Sequence, residues 1–271
     1  LSERIEALGY TVRDRGNVPV PLPETSREGD TSKRFIAEIT AVCESLFHLT
    51  TDAASRDVIA LSLGGDHSLA TGSIGGVAAA RAERGERIGL LWIDAHADMN
   101  TPETSLSGNV HGMPLAAILG NGPMELASLG GMVPKVRPEN VALVGIRELD
   151  EREKAVVRAS GIHAFTMSDV DRRGISEIIA EALAYVLNGT CGVHVSLDVD
   201  GIDPGIAPGV GTPVKGGLDY RESHLAMEMV AETGRLIGMD VVEVNPILDR
   251  GNETAELGSE LILSALGKSI L

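Results

Sequence analysis

The chain has 271 residues and a formal net charge of −16 at pH 7, and 43% of its residues are hydrophobic but only 3% aromatic. This length suits one large α/β domain or two small ones, with a core of aliphatic side chains. The negative charge argues against nucleic acid as a partner, because phosphate binding needs a basic surface, and it favours a cationic small-molecule substrate.

Apolar runs typical of strands alternate along the chain with helical patterns. Strands are predicted at 57–63, 88–93, 140–146, 191–198 and 236–244, with weaker candidates at 10–13 and 162–165. Helices are predicted at 31–50, 68–83, 113–119, 149–159, 174–187, 219–232 and 253–268. Continuous apolar runs indicate strands covered on both faces, as in a parallel sheet. The alternation predicts a doubly wound, mainly parallel sheet in a single domain over 1–271.

Cysteine usage and hydropathy indicate a cytoplasmic protein. Cys43 and Cys191 lie far apart and in no metal-ligand spacing, so we expect free thiols in a reducing compartment. No apolar run approaches the roughly 18 residues of a membrane span, and we expect no membrane partner.

Ligand-type side chains follow two of the strongest strands at every second position: Asp94, His96 and Asp98 after one strand, and Asp198 and Asp200 at the end of the other. In an extended segment, side chains two residues apart point the same way and can converge on one point. Four carboxylates at the end of a buried sheet would repel one another, at a cost of several kcal/mol each, unless cations neutralise them. The sequence therefore predicts a metal centre with two ions.

Two further segments carry polar residues at the carboxyl ends of strands. Asp66 and His67 follow the strand at 57–63, and Glu243 lies near the end of the strand at 236–244. The carboxyl ends of parallel strands share one edge, where ligands bind in open α/β sheets. We interpret His67 as another metal ligand and Asp66 as a helix cap. Oxygen-rich ligation with imidazoles favours Mn²⁺ over Zn²⁺.

Two loops are too long to be simple connections, and each follows a ligand-bearing strand. They span residues 99–112 and 201–217, and glycines and prolines in the second predict an irregular but rigid path. Long ordered loops at strand ends usually carry function.

Several motifs, in this order, resemble the ureohydrolase family, and most closely bacterial arginases: GGDHS at 64–68, DAHADMN at 94–100, GNVHG at 108–112, SLDVDGIDP at 196–204 and EVNP at 243–246. The resemblance covers essentially the whole chain. It implies a three-layer α/β/α fold, and an enzyme that hydrolyses the guanidinium of L-arginine to L-ornithine and urea with a metal-bridging hydroxide.

The resemblance also implies two Mn²⁺ ions per chain. His67, Asp94, Asp98 and Asp198 would hold one ion, and Asp94, His96, Asp198 and Asp200 the other, so that Asp94 and Asp198 bridge them. His111 resembles the family's proton shuttle and Glu243 its guanidinium-binding glutamate, while Asp98 could relay a proton to the leaving amine. The substrate α-carboxylate and α-amino group would be contacted by Asn100, Ser105, Ser107 and Asp150.

Two alternatives remain beside arginine hydrolysis. Another ureohydrolase, an agmatinase or a guanidinobutyrase, would use the same metals with a different pocket for the substrate tail. The amide and hydroxyls of the 100–109 loop suit an α-amino-acid head group, which agmatine lacks. A catalytically impaired metal- or arginine-binding protein of the same fold is the second alternative.

The resemblance sets two further expectations. Family members usually begin with a strand and a glycine-rich loop, and nothing matching precedes Leu1, so the chain is expected to lack both. The family also implies a homotrimer or a homohexamer. The remaining histidines are expected to be structural: His48, His163, His194 and His224.

Overall fold

A computed structural model describes residues 1–22 and 25–269. Its centre is a six-stranded sheet in the order β1-β6-β5-β2-β3-β4, in which every neighbouring pair is parallel. The strands are β1 (Ala60–Leu63), β2 (Gly89–Ile93), β3 (Val141–Ile146), β4 (His163–Thr166), β5 (Val193–Asp198) and β6 (Leu236–Val242). From β2 the chain proceeds to its neighbour β3 on one side of the sheet. From β5 it proceeds to its neighbour β6 on the other side. The adjacent strands β2 and β5 therefore form a topological switch point, where such sheets bind ligands.

Helices cover both faces of this sheet. They are α1 (Ser2–Glu6), α2 (Ile36–Ser55), α3 (Ala70–Ala82), α4 (Pro114–Ile118), α5 (Met124–Ala127), α6 (Glu151–Ser160), α7 (Met167–Arg173), α8 (Ile175–Val186), α9 (Tyr220–Glu232) and α10 (Glu253–Ala265). Alternate residues of β2 enter different cores: Leu91 and Ile93 pack with α8, α9 and α10, and Leu90 and Trp92 with α3 and α4. The predicted three-layer α/β/α arrangement and parallel sheet are confirmed.

The predicted elements agree with the structure except at a few positions. The strand predicted at 10–13 is wrong: this segment pairs with no described strand, and only Val12 packs against the core. The helix predicted at 31–50 begins five residues late, because Phe35 has a left-handed backbone (φ 55°). Helix α7 was not predicted, although the capping box between Thr166 and Asp169 marks its start.

Two other expectations concern the whole chain. Cys43 and Cys191 are free thiols, as predicted. Among the described residues, no helix is long and apolar enough to cross a membrane. The extent of the single domain, residues 1–271, stays a prediction.

Helices α2 and α3 approach each other closely, and α3 follows the segment that carries His67. The approach requires glycine at two positions of α3: a Cβ at Gly72 would overlap the Cys43 carbonyl oxygen, and one at Gly76 would overlap the Phe47 carbonyl oxygen. Backbone atoms cannot move aside as a flexible side chain can. This close packing fixes α3 against α2, and α3 directly follows the segment that carries His67.

We expect Gly76→Ala to lower the free energy of unfolding by about 1–3 kcal/mol, because the added methyl forces α2 away from α3. Chemical denaturation measures this change. Gly75→Ala on the same helix is the matched control, since its Cβ would meet side-chain atoms and no backbone: Lys135 carbons at 3.2 Å and Phe47 Cδ2 at 3.4 Å. The control should be less destabilising than Gly76→Ala, because these contacts are longer and alanine favours a helix. Equal effects of the two substitutions would contradict the close-approach argument.

Candidate active site

The parallel sheet gathers the polar side chains predicted for the site at one edge. His67 follows β1, the 94–98 segment follows β2, Asp198 and Asp200 lie at the end of β5, and Glu243 follows β6. These four strands are adjacent in the order β1-β6-β5-β2. Residues far apart in sequence are therefore in contact: the backbone N–H of His67 donates to the carboxylate of Glu243, 176 residues further on.

The first group of possible metal ligands surrounds the imidazole of His67. Its Nδ1 lies 3.3 Å from Asp94 Oδ2, 3.0 Å from Asp98 Oδ2 and 3.1 Å from Asp198 Oδ2. All four side chains are buried, and Nδ1 makes no well-aligned hydrogen bond. A buried nitrogen that faces three carboxylate oxygens fits a cation between them.

The second group surrounds His96 and shares one residue with the first. His96 Nδ1 lies 3.1 Å from Asp200 Oδ2 and 3.5 Å from Asp94 Oδ1. The ligand atoms of Asp94, His96 and Asp200 lie within 4.8 Å of one another. The two oxygens of Asp94 thus face the two different imidazoles, as a bridging carboxylate requires.

The protonation of the cluster reflects the same crowding of negative charge. Burial, with the charges of Asp200 and Asp94, raises the pKa of Asp198 well above its usual value. Burial lowers the pKa of His67, but the three neighbouring carboxylates outweigh it and raise the pKa well above the usual value. The same balance raises the pKa of His96 to about 11. Without cations the cluster retains protons, and bound cations would displace them.

A buried hydrogen-bond chain beneath the site orients His67. His67 Nε2 lies 2.9 Å from Ser196 Oγ, Ser196 donates to Asp240 Oδ1, and Asp240 Oδ2 lies 2.7 Å from His194 Nε2. If His67 Nε2 carries the proton, Nδ1 keeps its lone pair for a cation. His194 therefore supports the site through this chain as well as packing in the core. The buried Asp240 in an apolar strand was the sequence signal for it.

Three other residues at the site were missed by the sequence analysis. Trp92 stacks on His67 with ring centroids 4.1 Å apart, and its Nε1 donates to Asp94 Oδ2 over 2.9 Å. Thr212 donates to Asp200 Oδ2 over 2.9 Å. Glu153 accepts from the backbone N–H of Met99, and burial raises its pKa to about 7. No local sequence pattern marks these residues, because Trp92 lies in an apolar strand, Thr212 in a loop and Glu153 in a charged helix.

A cavity of about 120 Å³ opens over the ligands. Its lining among the described residues comprises His67, His96, Asp98, Asn100, His111, Gly112, Glu153, Asp198, Asp200, Thr212 and Glu243. Glu243 Oε1 accepts from the His67 backbone N–H and lies 3.5 Å from His111 Nδ1. The Glu243 carboxylate raises the pKa of His111 to about 9. The cavity lining is therefore rich in carboxylates, and the imidazole of His111 lies among them.

The predicted substrate contacts are only partly gathered at this cavity. Asn100 lines it and donates to Asp150 Oδ2 over 3.0 Å, while Asp150 also caps α6. The cavity lining drawn from the described residues does not include Asp150, Ser105 or Ser107. The two serine hydroxyls accept from the backbone N–H groups of the next glycine and asparagine along the loop. All four residues stay predictions as substrate contacts.

The other histidines predicted to be structural have ordinary packing partners. His48 packs edge-on against Phe47, His163 stacks on Tyr185, and His224 Nδ1 lies 2.9 Å from Ser264 Oγ. Asp66 accepts from the Ser68 backbone N–H and caps the short 3₁₀ turn that begins at His67, in agreement with the predicted cap.

A parallel sheet with paired carboxylate–imidazole groups at its switch point is the arrangement of a metalloenzyme. The model of the arginase family matches residues 2–267. The arginase of Bacillus caldovelox is 48% identical over 270 residues, which are 99% of this chain and 89% of that relative. Its native structure superposes with a TM-score of 0.94 at the same identity and coverage. The arginase of Entamoeba histolytica in complex with L-ornithine is 32% identical, with a TM-score of 0.87 and coverage of 98% and 91%.

The chain therefore belongs to the arginase family. The resemblance to bacterial arginases is confirmed, and so is the predicted enzyme class, a ureohydrolase of the arginase type. The described residues also contain His and Asp groups able to hold a metal ion, although the residue roles stay predictions.

We expect Ser196→Ala to weaken Mn²⁺ binding about 10- to 100-fold, because His67 loses the partner that fixes its tautomer. Calorimetric titration of the metal-free protein measures this. Ser62→Ala is the matched control. Ser62 on β1 and Ser196 on β5 are both paired with Asp240 of β6, one on each side, and the buried Ser62 hydroxyl bonds to Ser73. Unchanged Mn²⁺ affinity in Ser196→Ala would show that this chain does not orient His67.

Proposed function

We propose that the protein hydrolyses L-arginine to L-ornithine and urea with two Mn²⁺ ions. The observation that carries the proposal is the pair of carboxylate–imidazole groups that share Asp94 and face one cavity beside Glu243. The relatives are named arginases, and one of them was solved with L-ornithine, which supports the same substrate and product here.

The proposed ligand sets combine the two groups around the imidazoles with the family resemblance, which adds Asp198 to the second set. His67, Asp94, Asp98 and Asp198 would hold one ion, and Asp94, His96, Asp198 and Asp200 the other. Oxygen and imidazole donors suit Mn²⁺. When bound, the ions would supply the nucleophile by lowering the pKa of water toward neutrality.

Glu243 would hold the substrate. The arginine guanidinium is planar and stays protonated at neutral pH, so it is a poor electrophile that needs orientation. The pKa of Glu243 lies below its usual value, because the neighbouring His111 and the His67 backbone N–H outweigh the effect of burial. Its carboxylate is therefore ionised at neutral pH. It can accept charge-assisted hydrogen bonds from the guanidinium and keep the guanidinium carbon facing the ligands.

Two residues would move protons. Asp98 lies among the ligands and lines the cavity, so it could relay a proton to the leaving amine. His111 lines the cavity and is part-exposed, so it can exchange protons between the cavity and solvent.

The substrate head group would lie at the cavity mouth. Asn100, Ser105 and Ser107 offer an amide and hydroxyls to the α-carboxylate, and Asp150 offers a carboxylate to the α-amino group. Glu153 adds a second acid on this side of the cavity. The negative lining suits a substrate with two cationic groups.

Other expectations stay predictions. An agmatinase would have no substrate carboxylate for the 100–109 loop to bind, and a guanidinobutyrase would have no α-amino group to place near Asp150. A catalytically impaired protein would bind metal or arginine without turnover. Cytoplasmic location and assembly as a homotrimer or homohexamer are likewise proposed from the family resemblance.

The decisive experiment compares urea release from L-arginine and from agmatine by protein loaded with Mn²⁺. We expect a much higher kcat/KM for arginine, because only arginine has a carboxylate for the 100–109 loop. Faster release from agmatine would favour the agmatinase alternative. Absence of urea from both substrates, with metal bound, would favour the impaired protein.

We expect Glu243→Gln to retain both ions and to lose about 10- to 100-fold in kcat/KM, because a neutral amide replaces the charge-assisted contact to the guanidinium. Steady-state kinetics and metal analysis measure the two effects separately. The control is Glu139→Gln. Glu139 is an exposed acid just before the first residue of β3, at the edge of the sheet opposite to the site. An unaltered kcat/KM in Glu243→Gln would remove Glu243 from substrate orientation.

A further inference from the structure

Arg147 lies between the 94–98 segment and the 201–217 loop. The hydrogen bonds described for its side chain all go to backbone carbonyl oxygens. Its guanidinium donates to the backbone carbonyl oxygens of Gly145, Asp200, Gly201, Ile202 and Val214. The shortest of these bonds, to Asp200 O and Val214 O, are both 2.7 Å. The side chain thus joins the start of the 201–217 loop to its far side.

The backbone of Arg147 bonds to the 94–98 segment. The Arg147 N–H donates to the Ala95 carbonyl oxygen over 2.8 Å, between Asp94 and His96. The Ala95 N–H donates in turn to Asp200 Oδ1 over 3.2 Å. A single residue therefore bonds to both segments that supply the ligand group of His96.

Close packing leaves this junction little freedom. A Cβ at Gly217 would lie 2.6 Å from an Arg147 nitrogen, and a Cβ at Gly201 would lie 3.0 Å from the Asp94 backbone nitrogen. The guanidinium is planar, with five N–H groups in a fixed fork, so it can reach several carbonyl oxygens at once. A lysine ammonium has three donors and cannot reproduce this pattern.

We propose that Arg147 is a positioning residue that fixes the distance between the 94–98 and 200–214 segments. It thereby sets the affinity of the ligand group of Asp94, His96 and Asp200 for a divalent cation, and it places Thr212 in the cavity wall. The group around His67 depends on this junction less, because Asp98 and His67 themselves make no contact with Arg147 among the contacts described. The inference rests on the proposed two-ion function.

Stepwise Mn²⁺ titration of metal-free protein, by calorimetry, tests the proposal with Arg147→Lys. We expect one of the two steps to change less than about threefold and the other to weaken about 10- to 100-fold. The matched control is Arg235→Lys. Arg235 is also half-buried and donates to backbone carbonyl oxygens, those of Leu187 and Thr190, but it precedes β6 at the opposite edge of the sheet. Both steps should be unchanged in the control.

The outcomes separate the two proposals. A wild-type protein that binds fewer than two Mn²⁺ ions contradicts the proposed function itself. Two unaltered binding steps in Arg147→Lys, with two ions bound by the wild type, overturn only the role of Arg147. Arg147→Gln is the second variant, in case the lysine variant does not fold. If both variants unfold or lose both ions together, Arg147 is a general structural residue and the positioning role is wrong.

Discussion

Repulsion among the buried carboxylates at the carboxyl edge of the sheet is the constraint on which the rest of the structure depends. Asp94, Asp98, Asp198 and Asp200 lie on two adjacent strand ends with almost no exposure to water. Burying such charges costs several kcal/mol each unless opposite charge or hydrogen bonds compensate. The fold places the imidazoles of His67 and His96 against them, and the arrangement is stable as a whole only with protons or cations between these groups.

A tight site needs ligands that cannot turn away, and the surrounding residues supply that rigidity from three directions. Trp92 holds Asp94 from the core, and the chain of Ser196, Asp240 and His194 holds His67 from beneath. Arg147 and Thr212 hold the segment of Asp200 from the loop side. Each support comes from a different strand or loop, so no single element determines the geometry of the ligands.

The cavity combines these ligands with one residue of the 100–109 loop. Most of its lining comes from the segments at the strand ends, whereas Asn100 belongs to that loop. Ser107 of the same loop is exposed and accepts from a backbone N–H of its own loop. This division explains how related enzymes can keep one metal chemistry while the loops select the substrate tail.

Local sequence patterns determined the sheet and the position of its carboxyl edge, and they predicted the candidate ligand residues that meet there. Strand burial appears as apolar runs, and ligands at alternate positions appear as DAHAD and DVD, so both signals lie within a few residues. The strand predicted at 10–13 failed because a strand needs a neighbour to pair with, which a local pattern does not provide. Only the tertiary structure could reveal Glu153, Thr212 and the bonds of Arg147. Apart from Gly145, their partners lie 12 to 67 residues away in the chain, and contacts at such separation leave no trace in the neighbouring sequence.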